Sequence, residues 1–182
     1  MTKPLDLALP LPVDTEAEEV RRAKAGDQDV WASWYDRYFP LLFRYVLARL
    51  GDRDEAEDIA AQAFLRALEG IGSFHYTGRP VLAWLYRITH NLVADRARRQ
   101  KRRPSISLEK LPAGFAAAAH DGAAEIEEAL RRLKPEQREV LLLRYRVALS
   151  TEEIAVVMGK SESAVYSLHA RAIASLRKHL AP

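Results

Sequence analysis

The chain has 182 residues, 48% of them apolar and 29% charged, and its net charge is only +3. That composition suits one large or two small globular domains and excludes a disordered, uniformly charged tail. It holds no cysteine, which removes disulfides, thiolate metal sites and cysteine nucleophiles.

The charge is unevenly placed. Residues 1–30 carry seven acids against four Lys or Arg, whereas residues 96–103 carry six Lys or Arg and no acid. The opening LDLALPLPV is too short and too Pro-broken for a signal peptide or a membrane span. The expectation is therefore a cytoplasmic protein without membrane insertion, in which residues 1–24 form an N-terminal extension.

From residue 29 onward the apolar residues follow the helical repeat, and no segment alternates as a strand does. In 29–50, Trp31, Trp34, Tyr35, Tyr38, Leu42, Val46 and Leu50 form a drifting stripe, with Pro40 as a point of interruption or bending and Gly51 as a stop. A helix over 52–68 follows, with Ile59, Ala63, Phe64, Ala67 and Leu68 turned inward. SFHYTGRP (residues 73–80) reads as a loop. Pro80 then starts a helix that buries Val81, Leu85, Ile88 and Leu92 and runs to Arg103.

Pro104 stops that helix, and 104–123 reads as a flexible linker, mixing Pro, Gly, Ser and an alanine run. Four further helices are predicted over 124–133, 135–145, 151–158 and 163–180. Ser150 and Glu153 form a capping box, Gly159 suits a left-handed helix end, and Ser161 can cap the last helix. A helix, a short turn around Gly159 and a longer helix make a helix-turn-helix, with Ala164, Val165, Leu168 and Ala172 at the spacing of its packed face. The fold class is all-α: two small helical domains, 25–103 and 124–182, joined by the linker.

Two features point to nucleic acid. The helix dipole accounts for one or two cations in a last turn, not six in eight residues, so a polyanion fits better. The aromatics of SFHYTGRP beside that basic helix are the ingredients for stacking unpaired bases, although loop aromatics also serve as core anchors. At the helix-turn-helix, Glu162, Ser163, Tyr166, Ser167, His169 and Ala170 are placed to read base edges, with Arg171 nearer the phosphates. The acids of GDRDEAEDIA have no His or nucleophile nearby in sequence. They read as complements to a helix N-terminus or as a docking surface for a basic partner. The five histidines show no metal-ligand spacing, and no phosphate loop or nucleophile elbow is present, so neither metal, cofactor nor catalytic site is expected.

Three stretches together resemble the sigma-70 family of RNA polymerase sigma factors, in its extracytoplasmic-function (ECF) group. GDRDEAEDIAAQAFLRAL is similar to the pattern GDxxxAEDLxQExFLRA, and AWLYRITHNLVADRARRQKRR to AWLxRIAxNxxxDxxRRxxR. The third runs from LKPEQREV to ASLR and is similar to LPxxQREVLxLRYxxGLSxxEIAxxLGxSxxAVxSxLxRAxxxLR. The matches fall in the family's order and cover about 31–103 and 125–177.

The resemblance implies a non-enzymatic factor that binds core RNA polymerase and directs promoter recognition and strand opening. Asp54, Glu57, Asp58 and Gln62 would dock on the β′ clamp helices, with Ala61-Gln62 standing where the family usually has Gln-Glu. Phe74, His75, Tyr76, Arg79, Asn91, Arg96, Arg98, Arg99, Lys101 and Arg102 would read the minus-10 element and hold its non-template strand. Lys160, Ser161, Glu162, Ser163, Tyr166, Ser167, His169, Ala170 and Arg171 would read the minus-35 duplex. Tyr166 stands where Lys or Arg is frequent, Leu168 replaces a frequent Arg, and His169 takes a usual Leu place. The implied partners are core polymerase (β′ clamp helices and β flap), promoter DNA and an anti-sigma factor. The alternative is a stand-alone helix-turn-helix regulator that binds duplex DNA without polymerase.

Overall fold

The computed structural model describes residues 13–102 and 123–180, and among these it holds eight α-helices and no strand. The first half comprises α1 (Val13–Lys24), α2 (Gln28–Leu50), α3 (Arg53–Gly70) and α4 (Val81–Arg102). The second comprises α5 (Ala123–Arg131), α6 (Pro135–Leu141), α7 (Thr151–Met158) and α8 (Glu162–Leu180). The predicted linker lies outside the described residues except for Ala123, as do residues 1–12 of the expected extension.

Helix α1 is the main element that the sequence reading did not foresee. Its sequence offers only Val20 and Ala23 as buried apolar residues, set among acids, which is a weak periodic signal. Polar contacts complete its docking. Trp34 Nε1 donates to Glu19 Oε2 at 2.8 Å, Trp31 Nε1 donates to the Ala23 carbonyl at 3.3 Å, and Arg37 pairs with Glu19 at 3.3 Å. Satisfying two indole donors in this way lets both Trp rings enter the core, where they meet edge to face at 5.2 Å.

Asp27 caps the start of α2 by accepting the Asp29 N–H, and Gly51 ends it in the left-handed conformation at φ 75°. The helix continues through Pro40. Tyr38 and Leu42 are buried on either side of it, and that packing outweighs a proline cost of about 3 kcal/mol. Asp52 caps α3 through the Glu55 N–H at 2.9 Å. Ala56, Ala60, Ala63 and Ala67 form a stripe of small, fully buried residues along α3, so the backbones of α2 and α4 can pack close against it. Two expected core residues are instead exposed, Leu68 at 52% and Tyr35 at 43%. The stripe of alanines, shifted round from the bulkier residues, is what faces the core.

In the second half the capping box forms as expected: Glu153 N–H donates to Ser150 Oγ at 3.2 Å, and Ser150 N–H donates to Glu153 Oε2 at 2.6 Å. Gly159 is left-handed at φ 63°. The helix expected over 135–145 ends early, and a wide π turn, Leu142–Arg146, replaces its last part. That turn lets the consecutive Leu141, Leu142 and Leu143 all be buried, which one face of a regular helix cannot do. Ala164 departs from expectation too: it is exposed, and Val165, Leu168 and Ala172 alone line the buried face of α8.

The two halves pack on each other, with α7 lying against α4. Glu139 of α6, whose side chain is 2% exposed, enters a polar cluster made by the first half. Tyr45 OH donates to its Oε1 at 2.5 Å, His90 Nδ1 lies 3.3 Å from the same oxygen, and Arg49 Nε lies 2.8 Å from Oε2. The arginine contact is an ion pair whose N–H is not aimed at the oxygen. Burial pushes the Glu139 carboxyl up, but the His90 contact, the Arg49 charge and the Tyr45 hydroxyl outweigh it and hold the carboxyl below its ordinary value.

Ala148 is a non-glycine residue at φ 63°, a conformation that costs an L side chain about 1–2 kcal/mol. Ala148→Gly is therefore expected to stabilise the protein by about 0.5–1 kcal/mol, measured by denaturant unfolding. Glu139→Gln keeps the shape but leaves Arg49 without its counter-charge, at a cost of about 3 kcal/mol. The halves should then part, seen as a larger radius of gyration by small-angle scattering. A depressed carboxyl pKa means that the contribution of Glu139 is complete above its ordinary titration range and is lost as pH falls through the depressed value. Scattering as the pH is lowered from neutral through the depressed value should show the same parting in the unaltered chain.

Candidate nucleic-acid interface

Three exposed surfaces hold the residues singled out from the sequence. The first is the outer face of α3. Asp54, Glu57, Asp58 and Gln62 are all exposed, and among the described residues none of the three acids is in an ion pair. Glu55, turned the other way, pairs with Arg96 and ties α3 to α4. Leu65 and Leu68 extend the acidic face with apolar surface, exposed by 62% and 52%. Unpaired acids beside exposed leucines form a surface for a partner that is both basic and apolar.

The second surface is the loop before α4. A 3-10 turn, Ile71–Ser73, leads into it. Phe74 is half-buried and stacks on Trp84, with ring centroids 4.3 Å apart and planes 25° apart. Tyr76 is half-buried too, and its hydroxyl donates to Glu16 Oε2 at 3.3 Å. His75 lies between these anchors and is exposed, its Nδ1 2.8 Å from the Ser73 carbonyl. A carbonyl only accepts, so Nδ1 carries the proton and the ring is set by that bond. The loop aromatics divide: Phe74 and Tyr76 are anchors, and His75 faces solvent.

Arg79 is exposed but engaged, its Nε 2.8 Å from Glu152 of α7. Along α4, Asn91 and Arg99 are exposed, Arg96 pairs with Glu55, and Arg98 pairs with Asp95. Lys101 and Arg102 lie on the last turn of the helix, and Arg103 is outside the described residues.

The third surface is α8 with the turn before it. Ser161 Oγ accepts the Ala164 N–H at 3.3 Å, and Lys160 pairs with Glu136 at 3.0 Å. Glu162, Ser163, Tyr166, Ser167, Ala170 and Arg171 are exposed, Tyr166 by 62%. His169 is half-buried, its Nε2 3.0 Å from the hydroxyl of Tyr145. The structure thus buries Leu168 in the core and turns His169 to the π turn. Tyr145, exposed by 62%, is a residue that the sequence reading missed. Its only sequence signal was membership of the LLLRY motif.

The second and third surfaces face each other. Arg79 and Arg87 from the first half, and Glu152, Lys160, Ser161 and Glu162 from the second, line one cleft of about 310 Å³. The start of α8 therefore opens toward the loop and α4 in this arrangement.

Comparison with known proteins fixes the family. The family model described as Sigma-70 region 2 matches residues 34–103, and that described as Sigma-70, region 4 matches residues 123–176. The chain belongs to the ECF group of sigma-70 factors. It is 38% identical over 172 residues to the ECF RNA polymerase sigma factor BldN of Streptomyces coelicolor, covering 90% of this chain and 65% of that protein. It is 32% identical over 181 residues to the ECF sigma factor SigW of Bacillus subtilis, covering 90% of this chain and 95% of that protein. Among solved structures, CnrH in complex with the cytosolic domain of CnrY is similar at a TM-score of 0.66 and 25% identity, over 92% of this chain and 97% of that one. The sigma factor RpoE from Bartonella quintana, solved with the anti-sigma factor NepR, shares the fold at a TM-score of 0.64 and 23% identity, over 82% of this chain and 95% of that one. ECF sigma factors serve promoter-directed transcription initiation with RNA polymerase. They are regulators of transcription, not enzymes of it. No described helix of this chain is long and apolar enough to cross a membrane.

Proposed function

We propose that this chain is a promoter-specificity subunit which docks on core RNA polymerase through α3, reads the minus-10 strand with the 74–80 loop and α4, and reads the minus-35 duplex with α8. On this reading residues 25–103 form the polymerase and minus-10 domain, 104–123 the linker and 124–182 the minus-35 domain. The chain acts in the cytoplasm, catalyses no reaction and takes no cofactor. Polymerase supplies the chemistry, and β′ clamp helices and β flap are the docking partners. An anti-sigma factor that clamps both domains is a further partner, proposed from the family resemblance alone.

The observation that carries the reading is the outer face of α3, where Asp54, Glu57 and Asp58 are exposed and, among the described residues, unpaired beside Leu65 and Leu68. A stand-alone regulator has no use for such a face on the domain that also holds the basic helix. The roles of α4 and α8 also require the halves to separate. Minus-10 and minus-35 elements lie about 25 base pairs apart by name, roughly 85 Å of duplex at about 3.4 Å per pair. The 20 residues of 103–122 permit a reach of at most about 70 Å, and the domains' own breadth makes up the rest.

The deciding experiment is gel filtration of the chain with core polymerase. Co-elution is expected, and Asp58→Arg should weaken it by about tenfold or more, since a like charge replaces an attractive one at a desolvated contact. Co-elution untouched by Asp58→Arg, or none from the folded, inhibitor-free chain, would overturn the docking assignment. For minus-35 reading, Tyr166→Ala and His169→Ala should each relax base preference in duplex selection by about 1–3 kcal/mol at one position.

A further inference from the structure

Among the described residues three polar side chains are deeply buried: Thr89, Glu139 and Glu16. Thr89 donates to the Leu85 carbonyl of its own helix, and Glu139 joins the halves. Glu16 stands apart. It lies on α1, ahead of both family matches, and is 3% exposed. Taking a carboxylate out of water is costly unless donors meet it, and burial does push this carboxyl above its ordinary value.

The donors that meet it come from the base-reading loop and the helix behind it. Glu16 Oε1 accepts the Val81 N–H at 3.2 Å, and Oε2 accepts the Tyr76 hydroxyl at 3.3 Å. Val81 is the first residue of α4, where helix N–H groups lack intrahelical acceptors. Pro80, which precedes it, has no side-chain oxygen to serve as a cap. Glu16 supplies the missing acceptor from another helix, and its charge suits the helix N-terminus. One carboxylate thus fixes the start of α4 and, five residues earlier, the middle of the loop. On the far side of His75, Phe74 is fixed by its stack on Trp84.

We infer that Glu16 is a positioning residue for minus-10 recognition: with Tyr76 and Trp84 it holds the loop in the one arrangement that presents His75 to an unpaired base. The inference rests on the reading of the loop proposed above. It gives α1 a task beyond packing, and it assigns base contact to His75 and support to Tyr76 and Phe74. If the loop leaves this arrangement, Glu16 is stranded without its donors, which resists movement of the loop.

The test uses full-length chain assembled with core polymerase and a pool of fork-junction DNAs whose single-stranded overhang is randomised. Sequencing of the bound fraction gives the base preference at each overhang position. Glu16→Ala should lower the strongest preference by about tenfold, the loss of two hydrogen bonds, while polymerase co-elution is kept. Glu16→Gln, which can accept from Val81 and donate to Tyr76, should restore most of it. Tyr76→Phe leaves the cap of α4 in place and should cost about fivefold, one hydrogen bond. A purely structural role for Glu16 would lower total binding evenly and leave the preferences unchanged, and that outcome overturns the inference. Preferences lost in His75→Ala but intact in both Glu16→Ala and Tyr76→Phe overturn it as well, while the loop reading stands. If His75→Ala is also without effect, the loop is not the reader and the inference falls with it.

Discussion

A carboxylate cannot be taken out of water unless charge and hydrogen bonds replace it, and Glu139 finds its replacements on the other half of the chain. Tyr45 and Arg49 come from α2 and His90 from α4, so this one side chain couples α6 to two helices of the first domain. Apolar packing of α7 on α4 brings the surfaces together, but such packing is tolerant of sliding. The buried acid sets the register, because a shift of a few ångströms would strand both it and Arg49. The facing of the loop and the start of α8 follows from that register.

Much of the fold was legible because it rests on local rules. The Ser150 and Ser161 caps and the left-handed glycines 51 and 159 each act within one helical turn, so the sequence near them suffices. The features that were not legible depend on contacts between distant residues. Helix α1 has too few apolar residues to announce itself and is held by indole donors from α2. The π turn arises because three successive leucines all find a core, which only the packed structure reveals.

The same division holds for the candidate surfaces. Exposure of Asp54, Glu57, Asp58 and Gln62 could be read from helical spacing, since they share one side of α3. In the loop, composition showed aromatics but not which of them are anchors. That depended on Trp84 lying beneath Phe74 and Glu16 beneath Tyr76, ten residues downstream in one case and sixty upstream in the other. Tyr145 escaped notice for a similar reason: its partner His169 is twenty-four positions away and meets it only because α6 and α8 pack together.

The cleft between α4 and the start of α8 imposes an order on assembly. The face of α3 is open in this arrangement, whereas Lys160, Ser161 and Glu162 look across at Arg79 and Arg87. Under the proposed reading polymerase can engage the closed chain, but a promoter needs it unfastened. Each 1.4 kcal/mol by which closure is favoured lowers the open population about tenfold, and the apparent affinity for DNA falls with it. A basic protein in a cell full of DNA would otherwise be spread along the genome. Under that reading closure would keep the unassembled chain off that sink, so that the search for promoters would begin only after polymerase is aboard.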